Sequence, residues 1–383
     1  MEQATIPDSG DQPDLTVPFV DLESVTRPLT AAILADFERV MSHGAFVNGH
    51  AVQDFEEAFA SWSGRSHCIG VASGLDALRL GLLALGIGPG DDVIVPAMTF
   101  IASFEAVAQV GATPVPVDVR ADDIGLDADA VEAAVTPRTR AILPVHLYGQ
   151  MADVQRLEKV ADRHRLLVVE DACQAHGAER EGRRAGSWGH AAAFSFYPSK
   201  NLGAMGDAGA LVSDDAGLAK RVRALREHGQ TSRYRSDYVG YTARLDTFQA
   251  VVLSHKLPLL EGWNERRREV AAAYTVALSG VGDLNLPESV PGSVDVWHLY
   301  ALRTADPAGL AEYLNLRGIA TGRHYPEPPH LSTAFANLGY RVGAFPIAEA
   351  IAAETLSLPL YPGITQAQID AVTSAVKSFF GRA

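Results

Sequence analysis

Three short segments of this chain carry residue types that could do chemistry. Ser73-Gly74-Leu75 follows the apolar run His67–Ala72 and opens a helical pattern. A small turn at a helix N-terminus offers free N–H groups and the positive end of the helix dipole to an anion. Glu170 and Asp171 close the apolar run that begins at Leu166. Neighbours on a strand point to opposite faces, so one carboxylate can enter a cleft while the other turns away, and periodicity does not say which. Lys200 lies in Tyr197-Pro198-Ser199-Lys200-Asn201-Leu202-Gly203, between two more apolar runs. Lysine is seldom buried without a reason, and a desolvated lysine with a lowered pKa forms Schiff bases with aldehydes.

Each segment alone has an ordinary explanation: an N-cap serine, a turn or capping acid, a surface lysine. His176, just past the two acids, reads as a loop histidine. Together the three match the needs of pyridoxal 5'-phosphate. Its phosphate needs N–H donors, its pyridine nitrogen a carboxylate and its aldehyde an amine. Lys200 stands 29 residues after Asp171, so one cofactor would account for all three segments.

The elements that must position these groups alternate. Strands are expected at His67–Ala72, Asp92–Pro96, Pro114–Asp118, Ala141–Val145, Leu166–Asp171, Ala191–Phe196 and Ala208–Ser213. Helices are expected at Leu75–Leu85, Ile101–Val110 and Val154–His164. Short runs apolar on both faces and separated by helices describe an α/β fold whose largely parallel sheet is covered on both sides. In such sheets ligands bind beyond the carboxyl ends of the strands, where the three segments lie. Beyond residue 214 the pattern is mostly helical, with Leu245–Leu260 and Trp263–Leu278 as long candidates. A Pro/Gly/Ser-rich break at Leu284–Ser293 precedes an α+β segment with a strand at His298–Arg303 and helices near Ala308–Arg317, Ile347–Thr355 and Thr365–Phe380. The expected organisation is an N-terminal arm, 1–16, a large cofactor-binding domain, 17–265, and a smaller C-terminal α+β domain, 266–383.

The 383 residues are 47% apolar and 20% charged, enough for packed cores and too apolar for general disorder. A formal charge of −14 argues against a broad grip on nucleic acid or an anionic membrane. Two cysteines, Cys68 and Cys173, build no disulfide framework. With no apolar leader and no run of membrane length, a soluble cytoplasmic protein is expected.

Longer motifs carry a resemblance. They are Ala72-Ser73-Gly74-Leu75-Asp76-Ala77-Leu78, Pro96-Ala97-Met98-Thr99-Phe100, Pro144-Val145-His146-Leu147-Tyr148-Gly149-Gln150, Glu170 to Gly177, Phe194 to Gly203, Arg244-Leu245-Asp246 with Gln249, and His324-Tyr325-Pro326. From about Val17 onward the chain resembles the nucleotide-sugar aminotransferases, fold-type I pyridoxal-phosphate enzymes. The resemblance implies catalytic Lys200, as the Schiff-base lysine, and Asp171 rather than Glu170, as the pyridine partner. Gln174 would bond the cofactor's phenolic oxygen, and Phe100 would stack on the ring. Ser73, Gly74, Leu75 and Ser195 would hold the phosphate. It also implies a homodimer with shared active sites, no metal, and an amino-acid donor, L-glutamate by family habit.

Two positions depart from the family. Thr242 stands where relatives often have the asparagine that reaches the neighbouring subunit's phosphate, and Leu75 where many have threonine. The run from His324 to His330 resembles the branch that aminates 3-keto sugars. The expected acceptor is a dTDP-linked 3-keto-6-deoxyhexose, with a 4-keto sugar, a keto-cyclitol, or a silent regulatory protein on the same fold as alternatives. The related dehydratases carry histidine at the position of Lys200. Tyr148, His324, Tyr325 and His330 are candidate sugar contacts, and Arg233, Arg235 and Arg323 candidates for the diphosphate.

Overall fold

The apolar runs assemble into one seven-stranded sheet. In the computed structural model, which describes residues 15–381, these are β1 (His67–Val71), β2 (Asp92–Pro96), β3 (Thr113–Val117), β4 (Thr139–Ile142), β5 (Leu167–Asp171), β6 (Ala191–Ser195) and β7 (Gly209–Ser213). Their spatial order is β1-β7-β6-β5-β4-β2-β3. Strand β7 is antiparallel to both its neighbours, and the remaining pairs are parallel. Antiparallel neighbours need no crossover helix. The 196–208 segment therefore turns back directly at the carboxyl end of β6, and Lys200 is in that turn.

The longer helices of this part are α1 (Thr30–His43), α2 (His50–Ser63), α3 (Gly74–Ala84), α4 (Ala102–Gln109), α5 (Val154–His164), α6 (Ala216–Arg226), α7 (Thr247–Lys256) and α8 (Leu260–Leu278). Separate apolar clusters form around α3 with α4 and around α2 with Phe194 and Phe196. The central strands are buried along their length apart from an end residue, which is why they carry no polar alternation.

The C-terminal part has its own core. Strands β8 (Tyr300–Arg303) and β9 (Thr355–Leu358) pair antiparallel. Helices α9 (Pro307–Asn315), α10 (Pro346–Glu354) and α11 (Gln366–Phe380) complete this region. Its core includes Val270 and Tyr274 from α8 as well as Tyr300, Leu356 and Val376. Helix α8 thus continues from the side of the large sheet into this core. Val17 joins it too, bridged to Ile319. Of the expected arm, residues 1–14 lie outside the described residues.

Three details differ from expectation. The helix expected over Leu245–Leu260 ends at Lys256 and gives way to a 3-10 turn at Leu257–Leu259, because Pro258 lacks the N–H needed to continue the ladder. Strand β9 follows α10 without a loop and is shorter than any apolar run used to infer strands. A hairpin, Gln230–Ser232 with Arg235–Ser236, interrupts the segment expected to be helical.

Candidate active site

The carboxyl ends of β5 and β6 and the N-terminus of α3 meet at one place. Ser73 caps α3, its Oγ accepting from the Asp76 amide at 3.0 Å. Gly74 follows because nothing larger fits. A Cβ there would lie 2.7 Å from Cys173 Sγ and 2.7 Å from Ser195 Cβ. The turn is thereby pressed against the ends of β5 and β6, leaving the first amides of α3 without intrahelical partners. Ser195 Oγ accepts from the Tyr197 amide at 3.3 Å, which leaves its hydrogen free to donate.

The ambiguity between the two acids resolves geometrically. Glu170 is fully buried on the face away from Lys200. Its Oε2 accepts from His146 Nε2 at 2.8 Å and the Gly186 amide at 2.9 Å, and its Oε1 from the Trp188 amide at 2.7 Å. Arg65 lies 3.9 Å from the same carboxylate. Glu170 is therefore a saturated structural anion. Asp171 points the other way, with Oδ2 accepting from Ser103 Oγ at 2.8 Å and Oδ1 from the Cys173 amide at 3.2 Å. Ser103 also bonds Thr99 Oγ1 at 2.9 Å.

Lys200 sits among Asp171, Cys173, His176, His298 and His324, all close enough to interact electrostatically with its amine. Burial lowers the Lys200 pKa, against the opposing pull of Cys173 and Asp171. That holds the amine toward its nucleophilic form. Burial, and then the nearby Lys200, hold His324 down to about 4. His176 is held down to about 3 for the same reasons, and its ring lies between Phe194 and Phe196. It is a packing residue, in line with its reading as a loop histidine.

Gln174 ties two expected substrate contacts together. Its Oε1 accepts from the Tyr148 amide at 2.8 Å, and its Nε2 donates to Tyr325 Oη at 3.0 Å. Tyr148 Oη in turn donates to the carbonyl of His324. Burial raises the pKa of both phenols, so they act as hydrogen donors rather than anions. Phe100 is half exposed, with its ring 5.2 Å from that of Tyr325. Large apolar rings are rarely left open, and this one presents a free face beside Asp171's supporting residues.

Two expected contacts are corrected. Arg323 does not offer its guanidinium to a diphosphate. It donates to the carbonyls of Ala352, Ala353 and Thr355, closing the end of α10. His330 is 1% exposed, packed edge-on against Phe345 and bonded to Glu349 at 3.2 Å, so its ring meets no open cleft. Arg233 and Arg235 lie exposed on the hairpin, stacked on Tyr234 and paired with Asp237 respectively. Thr242 is exposed, its Oγ1 3.3 Å from His228 Nε2. Sequence reasoning missed Ser103, Asn201, Lys256 and His298. Their only signal was polar residues at positions that the fold buries.

These features fit pyridoxal phosphate. A Cβ-free turn with open amides beside a serine hydroxyl suits a phosphate, a buried carboxylate suits a protonated ring nitrogen, and a desolvated amine suits an aldehyde. Fold and site together define a fold-type I pyridoxal-phosphate transferase. The chain belongs to the DegT/DnrJ/EryC1/StrS aminotransferase family, whose pattern matches residues 28–377. It is similar to the dTDP-3-amino-3,4,6-trideoxy-alpha-D-glucose transaminase of Streptomyces venezuelae, 47% identical over 96% of this chain and 97% of that one. It is equally similar, at 47% over 95% of this chain and 100% of the other, to the erythromycin biosynthesis sensory transduction protein EryC1 of Saccharopolyspora erythraea. The crystal structure of S. venezuelae DesV in complex with a ketimine intermediate superposes with a TM-score of 0.94, at 47% identity over 96% of this chain and 99% of that one.

Proposed function

We propose that this aminotransferase moves the amino group of L-glutamate to C3 of a dTDP-linked 3-keto-6-deoxyhexose. The observation that carries the reading is the near full-length similarity to a transaminase named for a dTDP-3-amino sugar. The buried Asp171 and desolvated Lys200 support turnover rather than a silent regulatory role. When bound, pyridoxal phosphate supplies an aldehyde for amines and an electron-withdrawing ring.

The chain's residues do the rest. The amides of Gly74 and Leu75, with Ser73 and Ser195, would hold the phosphate. Phe100 would cover the ring, and Gln174 would meet its phenolic oxygen. Asp171, fixed by Ser103, would keep the ring nitrogen protonated. Lys200 Nζ removes the proton from the donor's α-carbon, and in the second half-reaction delivers one to the sugar carbon that receives nitrogen. Tyr325, Tyr148 and His324 form the wall nearest the incoming sugar.

The working unit is a homodimer. Tyr234 is 86% and Val239 91% exposed on and beside the hairpin, an apolar surface suited to cover by a second copy. Thr242 follows this segment and would take the place of the family's asparagine at the partner's phosphate, with Arg233 and Arg235 near its diphosphate.

The test is an assay of purified protein with L-glutamate and dTDP-linked 3-keto and 4-keto sugars, the products read by mass and NMR. The 3-amino product is expected from the 3-keto substrate only. Lys200→Ala should abolish turnover and change the cofactor's visible absorbance. An alanine variant that still aminated the sugar would remove Lys200 from the chemistry.

A further inference from the structure

The turn that bears Lys200 is held by its next residue. Asn201 is 4% exposed and bridges three pieces of chain. Its Nδ2 donates to Asn264 Oδ1 on α8 at 2.9 Å and to the Val296 carbonyl at 2.9 Å. Its Oδ1 lies 3.2 Å from His298 Nδ1. Asn264 then donates to the His176 carbonyl at 2.7 Å.

The donors and acceptors of this network have one consistent direction. With both donated bonds fixed on Nδ2, the Asn201 oxygen can only accept, so His298 Nδ1 carries the hydrogen and Nε2 keeps its lone pair. Burial first, then Lys200 and the other nearby cations and rings, hold the His298 pKa far down, consistent with a ring that stays neutral. His298 leads into β8, and the carbonyls of Trp297 and His298 accept from buried Arg267 of α8. On the other flank of the turn, Lys256 Nζ donates to the Gly203 carbonyl at 2.8 Å.

We infer that Asn201 is a positioning residue for Lys200, and that His298 is the contact through which the strand entering the C-terminal region sets the Lys200 turn. The inference rests on Lys200 being the residue that holds the cofactor. An amine displaced from its reacting partners by a fraction of an ångström loses rate without losing substrate affinity.

The experiment uses the cofactor-loaded protein and reads four quantities: the pH midpoint of its visible absorbance change, kcat and KM for the sugar nucleotide, and thermal stability. Asn201→Ala should move the pH midpoint by about 0.5 or more and lower kcat about tenfold or more, with KM within about twofold. His298→Leu, which removes the same bond, should reproduce both changes. His298→Asn places an amide donor where Nδ1 was and should restore the wild-type midpoint. A purely structural role would lower the melting temperature and leave midpoint and kcat in place, and that result in either Asn201→Ala or His298→Leu overturns the inference. Should Asn201→Ala not accumulate as folded protein, the comparison of His298→Leu with His298→Asn decides. A wild-type protein with no lysine-dependent absorbance would instead refute the role of Lys200 itself.

Discussion

Glu170 and Asp171 are adjacent acids at the end of one strand, and their nearest isosteric amides should fail in opposite ways. Glu170 receives three hydrogen bonds in a dry site, two on Oε2 and one on Oε1. A glutamine has one acceptor oxygen. Whichever way it turns, its NH2 confronts at least one N–H donor. Each buried donor left unpaired costs about 1–3 kcal/mol, and the nearly buried Arg65 loses the nearby charge at 3.9 Å while keeping Asp214 at 2.8 Å. Glu170→Gln should therefore lose about 2–5 kcal/mol of stability.

Asp171→Asn faces a softer environment. The asparagine oxygen can keep the Cys173 amide, and its NH2 can donate to Ser103, whose hydroxyl is free to turn its hydrogen toward Thr99 at 2.9 Å. Stability should stay within about 1 kcal/mol. Turnover should fall about a hundredfold or more, because a neutral amide no longer holds the ring nitrogen protonated. The assay pairs denaturant unfolding with the glutamate half-reaction followed by the cofactor's absorbance at saturating cofactor. Wild-type turnover in Asp171→Asn, or a Glu170→Gln protein of undiminished stability and lost turnover, would refute the assignment of one acid to structure and the other to chemistry.

Gly74→Ala should cost about 1–3 kcal/mol despite the better helix former, because the new methyl meets Cys173 and Ser195 at 2.7 Å, and equilibrium dialysis should show weaker cofactor retention. Lys256 is buried with its pKa brought down to about 8. Between that value and its unfolded value the unfolded chain binds more protons, so the wild type gains stability as pH rises through this window. Relative to Lys256→Met, wild type should therefore gain about 2 kcal/mol from pH 8 to pH 10 in chemical unfolding, and a pH-independent difference would remove the desolvated amine. Arg323→Ala should lower the melting temperature by uncapping α10 while leaving KM for the sugar nucleotide unchanged. A KM that rises without a change in melting temperature would return Arg323 to the substrate.

The sheet was legible because its strands are buried on both faces and its helices are not. His67–Val71, Leu167–Asp171 and Ala191–Ser195 each appear as a short β-branched, alanine-rich or otherwise apolar run beside an amphipathic stretch. The three chemical segments were legible for the same reason, since each begins where such a run stops. Which of two adjacent acids enters the cleft was not. It depends on His146, Gly186 and Trp188 converging on Glu170 from three separate segments, and no local pattern encodes that convergence. Arg323 and His330 misled for a related reason. Both occur in a Pro-rich segment near the cleft, and their residue types suit phosphate and hydroxyl groups, but their partners lie 19 to 32 residues away along the chain. Strand β9 escaped notice because four residues directly after a helix give neither periodicity room to show.

The acidic balance of the chain and its phosphate chemistry are compatible because they act at different ranges. A charge of −14 over 383 residues sets the far field, which salt screens within about 10 Å. On the proposed reading the phosphate would be met at contact distance by neutral donors: amides at the start of α3, the hydroxyl of Ser195, and a glycine that lets the backbone approach. Such donors need no net positive charge. Arg65 pairs with Asp214 and lies 3.9 Å from Glu170 on the opposite face, Arg267 is spent on backbone carbonyls, and Arg323 on the end of α10. Arg233 and Arg235 lie on an exposed hairpin, away from the end of α3.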